Sequence, residues 1–326
     1  MSNIFITRRI FPEAIEKLEK AGHRVEINDT NRVLSTGELM EKLRDKQALI
    51  CLLNDDIDSE VMDAGPDLQV IANVAVGYDN IDVEAATERE IMVTNTPGVL
   101  TETTADMTFA LLLSAARRIP EADRYSREGK YESWELMQPH LGVDVHGKTL
   151  GIVGMGRIGQ AVAKRGIEGF EMECVYYDRG RKEAAEQRLG ASRVSLEELL
   201  QQSDFLSVHP PLTSETRHLL GSEEFEMMKK EAILVNAARG PIVDEEALAQ
   251  ALKAGEILGA ALDVFENEPS IHPELLDVRE HVVLSPHLGS ASRSTRREMA
   301  DLAVSGALMT LNGEIPEHLV NEELAR

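Results

Sequence analysis

Short apolar runs alternate with longer polar segments in which apolar residues recur at helical spacing, and this alternation continues along most of the chain. That is the pattern of an α/β protein built on parallel sheets. In the first region Ile4–Thr7, Arg24–Ile27, Ala48–Leu53, Val70–Val74 and Met92–Thr94 are predicted strands, separated by helical segments such as Pro12–Lys20 and Thr36–Lys46. Pro97-Gly98 then breaks the pattern. Beyond it a long helix is predicted, capped by Thr101 or Thr103. Its apolar face is read as Met107, Ala110, Leu111 and Ser114-Ala115, and it is expected to cross from one domain into the next. A second domain begins in earnest at Thr149. Its later strands, Phe205–Val208, Ile233–Asn236, Ala260–Val264 and Val282–Ser285, are nearly continuous apolar runs, as buried parallel strands should be. From about Ser292 the chain again reads as helix, including Met299–Leu308, and is expected to return to the first domain.

One turn carries a specific chemistry. The strand-like run Thr149-Leu150-Gly151-Ile152-Val153 enters Gly154-Met155-Gly156-Arg157-Ile158-Gly159 and then a helix. A second strand-like run, Cys174-Val175-Tyr176-Tyr177, ends in Asp178, roughly 20 residues past Gly159. Strand, Gly-x-Gly-x-x-Gly turn, helix, strand and terminal acid form the fingerprint of a dinucleotide-binding βαβ unit. Gly154 permits the tight turn, Gly156 lets a pyrophosphate approach the backbone, and Gly159 lets helix and strand pack closely. The helix N-terminus offers N–H groups and the positive end of its dipole to phosphates. Asp178 is placed to accept hydrogen bonds from ribose hydroxyls.

Composition narrows the class. The chain has 326 residues, enough for two domains, and a formal net charge of −23. That charge argues against a nucleic-acid or anionic-membrane partner. It does not exclude a small anionic substrate, because repulsion is screened beyond roughly 8 Å at physiological salt. No apolar run reaches the roughly 18 residues a membrane span needs. Met1-Ser2-Asn3-Ile4-Phe5-Ile6 reads as a first strand, not a signal peptide. Cys51 and Cys174 both lie in apolar strand-like runs and read as buried thiols, which fits a reducing cytoplasm. No Cys/His spacing suggests a metal site.

Ligands of open α/β sheets bind beyond the carboxyl ends of the strands. Three reactive side chains sit at such ends: Arg239 after Ile233–Ala238, Glu268 in Val264–Pro269, and His287 in Ser285–Ser290. Each alone has an ordinary structural explanation, as a surface ion pair, a solvated loop and a satisfied histidine. Together they suggest convergence on a nicotinamide. Glu266 is read as a solvent-facing neighbour, and His23, His140, His218 and His281 have no comparable context.

The motifs Asn73–Asp82, Asn95–Thr101, the glycine turn, Asn236–Gly240, Phe265–Pro269 and Pro286–Ser290 occur in this order over nearly the whole chain. In this the sequence resembles the D-2-hydroxyacid dehydrogenase family, and within it the glyoxylate/hydroxypyruvate reductase branch. The resemblance implies two Rossmann-like, doubly wound parallel-sheet α/β domains with an interdomain active-site cleft. Residues 1–98 plus 292–326 would form the substrate domain and 99–291 the dinucleotide-binding domain. It implies NAD(P)H-dependent reduction of small anionic 2-keto acids. Ala75, Val76 and Gly77 would present N–H groups to the substrate carboxylate. Arg239 would hold carboxylate and carbonyl oxygen and polarise the carbonyl. His287 would donate the proton and Glu268 would favour its charged form. Thr104, His209-Pro210, Ala237-Ala238 and Asp263 would border the cofactor with the glycine turn, Asp178 and Arg179; Asp263 has a structural strand-end role as its alternative.

Asp178 should repel a 2′-phosphate, so NAD(H) is the expected cofactor, although Arg179, Arg181 and Lys182 keep NADP(H) open. The family resemblance also implies a homodimer built on the segment between Pro97 and His146, which contains Trp134. Rival readings within the resemblance are a D-3-phosphoglycerate, 2-ketogluconate or phosphite dehydrogenase, or a non-catalytic, NAD-sensing corepressor-like protein.

Overall fold

The computed structural model describes residues 1–325. Contacts divide the chain into two compact units, Met1–Leu100 with the segment from Ala291 onward, and Thr101–Ser290.

The first unit alternates strand and helix: β1 (Asn3–Ile6), α1 (Pro12–Lys20), β2 (Arg24–Ile27), α2 (Thr36–Leu43), β3 (Ala48–Cys51), α3 (Ser59–Asp63), β4 (Val70–Asn73), α4 (Val83–Glu88) and β5 (Met92–Thr94). The strands form one parallel sheet in the order β2-β1-β3-β4-β5. Helix starts are set locally: Ser35 makes a capping box with Glu38, and Asp58 and Asp82 cap α3 and α4. Caps of this kind contribute about 1 kcal/mol each. Helix α2 ends at Leu43, short of the predicted Lys46, whose ammonium turns away to Glu26 at 3.0 Å. β3 and β4 also stop before their predicted ends, at the Cys51–Asn73 pair, where the side-chain amide of Asn73 donates to Gly77 O and Asn80 Oδ1 in the turn that follows.

The second unit begins with α5 (Thr101–Ala116) and α6 (Ile119–Arg127). It continues with β6 (Thr149–Val153), α7 (Arg157–Phe170), β7 (Glu173–Tyr177), α8 (Glu183–Leu189), β8 (Ser192–Arg193), α9 (Leu196–Gln202) and β9 (Phe205–Val208). It closes with α10 (Ser222–Met227), β10 (Ile233–Asn236), α11 (Glu245–Ala254), β11 (Gly259–Leu262), α12 (Pro273–Asp277) and β12 (Val282–Leu284). All seven strands are parallel, in the order β12-β11-β10-β9-β6-β7-β8. The order reverses direction between β6 and β9, the switch point at which such sheets bind ligands.

Two local expectations are corrected. Thr101 and Thr103 lie inside the first turn of α5, so neither is its cap. Its buried face is Thr104, Ala105, Thr108, Phe109, Leu111, Leu112, Ala115 and Ala116, whereas Ala110 is exposed. Its polar residues are spread round the helix and include the buried Thr104 and Thr108, so periodicity alone could not fix which side faces the sheet. It also lies wholly within the second unit, with Phe109 and Leu112 packed in the core around Leu150, Ile152 and Val235.

Helix α13 (Arg293–Leu311), capped by Ser292, belongs to the first unit, as its apolar pattern predicts. Ala300, Ala303, Val304 and Ala307 pack on Ile4, Ile6, Ile50 and Val70. Small residues let this helix approach the sheet closely. A Cβ at Gly306 would lie 2.8 Å from Thr94 Oγ1 and 3.2 Å from Thr94 Cβ. Gly306→Val is therefore expected to destabilise the protein by about 1–3 kcal/mol, read as a lower urea midpoint. An unchanged midpoint would show that α13 yields more easily than this contact implies.

Candidate functional site

The glycine turn joins β6 to α7 at the switch point of the second sheet. Gly154 has φ 88°, and a Cβ there would lie 2.6 Å from Pro210 N and 2.9 Å from His209 C, because the end of β9 passes against it. A Cβ on Gly159 would lie 2.2 Å from Gly154 O and 3.1 Å from Ile152 Cγ2. Gly156, the N-cap of α7, faces open space instead, so a side chain there would fill the approach to the helix N-terminus. The first N–H groups of α7, around Arg157 and Ile158, have no intrahelical acceptor and point where an anion would sit. These features fit a dinucleotide pyrophosphate.

Asp178 closes the turn from the end of β7. Its carboxylate accepts the N–H of Met155 at 3.0 Å and of Gly180 at 3.1 Å. The basic residues beside it are largely engaged. Arg181 grips Glu186 at 2.8 Å, Glu186 also accepts the Tyr176 hydroxyl at 2.7 Å, and Lys182 lies 3.6 Å from Asp178 itself. Arg193 donates to the carbonyls of Asp178 and Arg179, leaving the Arg179 side chain exposed. Across the switch point His209 bonds Ser207 Oγ at 2.7 Å, and burial pushes its pKa down to about 3, so it is neutral. Its Nδ1 is buried without a partner among the described residues.

Arg239, Glu268 and His287 lie in turns just beyond β10, β11 and β12. Each turn is shaped by a buried polar side chain. Asn236 donates to Arg239 O at 2.9 Å and accepts the Ala238 N–H at 3.1 Å, which folds Ala237-Ala238 into the turn. Asp263 accepts the N–H groups of Leu288 and Gly289 at 2.7 and 2.6 Å, while its carbonyl accepts that of His287 at 2.8 Å. Those bonds hold His287 at φ 53°, a conformation uncommon outside glycine. Thr104 lies against the same turn, 3.4 Å from a Cβ built on Gly289. Asp263 thus holds this turn with one N–H on each carboxylate oxygen.

His287 Nδ1 lies 2.9 Å from Glu268 Oε2 and 3.2 Å from Oε1. Burial pushes the Glu268 carboxyl up. The hydrogen bond and charge of His287, the Phe265 N–H and the charge of Arg239 outweigh it and hold the carboxyl below its ordinary range. The pair therefore presents an ionised carboxylate to the imidazole and orients the ring through Nδ1.

In the first unit the turn after β4 shows an asymmetry. The carbonyls of Ala75, Val76 and Gly77 accept from Thr96 N, Asn95 Nδ2 and Asn73 Nδ2 at 2.9, 2.8 and 2.9 Å. None of their three N–H groups has a partner among the described residues. A run of unpaired backbone donors is an anion-binding arrangement.

One reading changes. Glu266 is not solvent-facing: its side chain is bonded to His218 Nε2 and lies 4.0 Å from Arg217. Glu245, unremarkable in the sequence, is buried beneath the loop that carries Glu268. Its position after the Asp244 cap reads as an ordinary exposed helix-start acid, so no local signal distinguishes it. Trp134 is 73% exposed. Among the described residues no cluster of His, Cys, Asp or Glu is placed to hold a metal, and no helix is long and apolar enough to cross a membrane.

Known proteins resemble this chain over nearly its full length. Residues 109–289 match the family model described as D-isomer specific 2-hydroxyacid dehydrogenase, NAD binding domain. The glyoxylate reductase of Korarchaeum cryptofilum is 51% identical over 99% of this chain and 97% of its own length. That of Thermococcus litoralis is 49% identical over 98% of this chain and 97% of its own. The NADPH-dependent glyoxylate/hydroxypyruvate reductase of Sinorhizobium meliloti, solved with NADP and malonate, superposes with a TM-score of 0.88 at 34% identity, covering 98% of this chain and 97% of that one. The chain belongs to the D-isomer specific 2-hydroxyacid dehydrogenases, NAD(P)-dependent oxidoreductases, and Thr101–Ser290 contains its NAD-binding domain.

Proposed function

We propose that the protein reduces small 2-keto acids, glyoxylate and hydroxypyruvate first, to glycolate and D-glycerate, and that it prefers NADH. The observation that carries this reading is the Glu268–His287 pair at 2.9 Å, with Arg239 close enough for its charge to act on Glu268. Relatives named glyoxylate reductase along nearly the full chain support the substrate class. The nicotinamide, when bound, supplies the hydride. Arg239 pairs with the substrate carboxylate and carbonyl oxygen and polarises the carbonyl. The N–H groups of Ala75, Val76 and Gly77 bind the carboxylate. His287 Nε2 delivers the proton as the carbonyl oxygen becomes an alkoxide, and Glu268 steadies the imidazolium through Nδ1. Thr104, His209-Pro210 and Ala237-Ala238 border the cofactor, and Thr101–Ser290 is the cofactor domain, the remainder the substrate domain.

The NADH preference rests on Asp178. Its carboxylate accepts ribose hydroxyls and repels a 2′-phosphate, while Glu186 holds Arg181 and Arg193 is spent on carbonyls. Initial rates with both cofactors test this and the substrate class together. NADH is expected to exceed NADPH by about tenfold or more in kcat/KM, equivalent to ~1.4 kcal/mol, and Asp178→Ser should narrow that ratio. Arg239→Gln should lower kcat/KM for glyoxylate by roughly 100-fold or more with NADH binding nearly unchanged. Equal loss of both would contradict its assigned role.

The pH dependence follows from the pair. Reduction consumes a proton delivered by His287 Nε2, so its rate should fall as pH rises. The folded Glu268 pKa is depressed, so its stabilisation of the pair is present above the ordinary carboxylate range and lost as pH falls through the lowered value. A plateau with an alkaline fall, reaching below the ordinary glutamate range, is expected when chemistry limits. A rate flat through the alkaline range would remove His287 as donor.

We also read the protein as a cytoplasmic homodimer. Cys51 and Cys174 are free and buried, and burial raises both thiols, Cys174 to about 12, which suits a reducing compartment. The loop over 129–148 exposes Tyr131, Trp134, Leu136 and Met137, the last two at 77% and 78%. Such apolar exposure marks an interface, and a second copy is the proposed cover. Trp134 is the single tryptophan, so dilution should red-shift its fluorescence as light scattering reports dissociation. A monomeric mass at all concentrations would refute the dimer.

A further inference from the structure

The segment after Arg239 reaches the Glu268 loop at two points. At its start, Gly240 packs so closely on the loop that a Cβ there would lie 1.9 Å from Phe265 C and 2.4 Å from Glu266 N. At its end stands Glu245, the first residue of α11 and only 3% exposed. Its Oε1 accepts the Glu266 N–H at 2.8 Å and its Oε2 accepts the His272 N–H at 3.2 Å. Those two N–H groups bracket Glu268. One carboxylate thus holds both ends of the loop that presents Glu268 to His287.

An acid at a helix start is ordinarily exposed, where it meets the dipole at little desolvation cost. This one is buried, and burial raises its pKa. The backbone N–H groups of Glu266 and His272 and the charge of His272 oppose that shift, while the charge of Glu266 adds to it. A raised folded pKa means that ionised Glu245 subtracts from stability at neutral pH. A buried acid that does not stabilise the fold through its charge, yet spans the Glu268 loop, has a positional task.

We propose that Glu245 is a positioning residue for the reaction, setting Glu268 against His287 by fixing both ends of the loop between them and α11. The proposal rests on the roles of Glu268 and His287 given above. It concerns geometry and involves no contact of Glu245 with substrate or cofactor.

The test is a double-mutant cycle of Glu245→Gln and Glu268→Gln, read as kcat for glyoxylate reduction, the pH profile of kcat/KM, and NADH affinity by fluorescence titration. Glu245→Gln keeps the shape but puts an amide donor against a backbone N–H. It is expected to lower kcat by roughly 10- to 100-fold, to move the alkaline limb to lower pH, and to leave NADH affinity unchanged. In the Glu268→Gln background the same change should have little further effect, because the residue through which Glu245 acts is already gone. Multiplicative losses in the double variant would overturn the proposal, as would an unmoved alkaline limb with weakened NADH binding. Should Glu268→Gln itself leave kcat and the pH profile at wild type, the role of Glu268 fails, and the proposal fails with it for that identifiable reason. If Glu245→Gln does not fold, Glu245→Asp retains the charge with a shorter reach and gives the same cycle.

Discussion

Two hydrogen bonds from the backbone to Asp263 set the position of the histidine. A chain leaving the carboxyl edge of a parallel strand leaves the ladder that satisfied its N–H groups, and buried donors must find new acceptors. Asp263 supplies both oxygens to Leu288 and Gly289, and its carbonyl takes His287 N. His287 then stays at φ 53° with its Nδ1 on Glu268. Asn236 does the same for the turn that carries Arg239, and Glu245 for the loop that carries Glu268. Each reactive side chain is held by a buried neighbour whose own task is to satisfy backbone.

The same economy explains how a chain of net charge −23 is equipped for anions. Its anion-receptive features are mostly backbone: the start of α7 beyond Gly156, and the unpaired N–H groups of Ala75–Gly77. Fixed amide dipoles at short range act where the net charge is already screened. Near Asp178, Arg181 is taken up by Glu186 and Arg193 by carbonyl oxygens, whereas Arg179 stays exposed, so a basic run in the sequence is only in part a basic surface in the fold.

Much of this was legible along the chain. The strands were marked by continuous apolar runs because parallel strands are buried on both faces, and most matched within a residue or two at the ends. The glycine turn was legible because its backbone leaves no choice of residue: Gly154 needs a positive φ, and Gly159 has no room for a Cβ. The orientation of α5 was not legible, because polar residues such as Thr104 and Thr108 lie on its buried side and blur the apolar face until the sheet defines it.

The sequence by itself determined the alternation of elements and the glycine turn, and it marked Arg239, Glu268 and His287 as candidates for the chemistry. These depend on local backbone sterics and on burial patterns with short periods. Tertiary structure decided what those side chains meet. That Glu266 is bonded to His218, that Arg181 is held by Glu186, and that Glu245 lies beneath the Glu268 loop all depend on residues brought together by crossovers through the sheet. An acid at a helix start has the same local sequence whether it faces water or two backbone amides, and only the packing of α11 against the loop after β11 settles which.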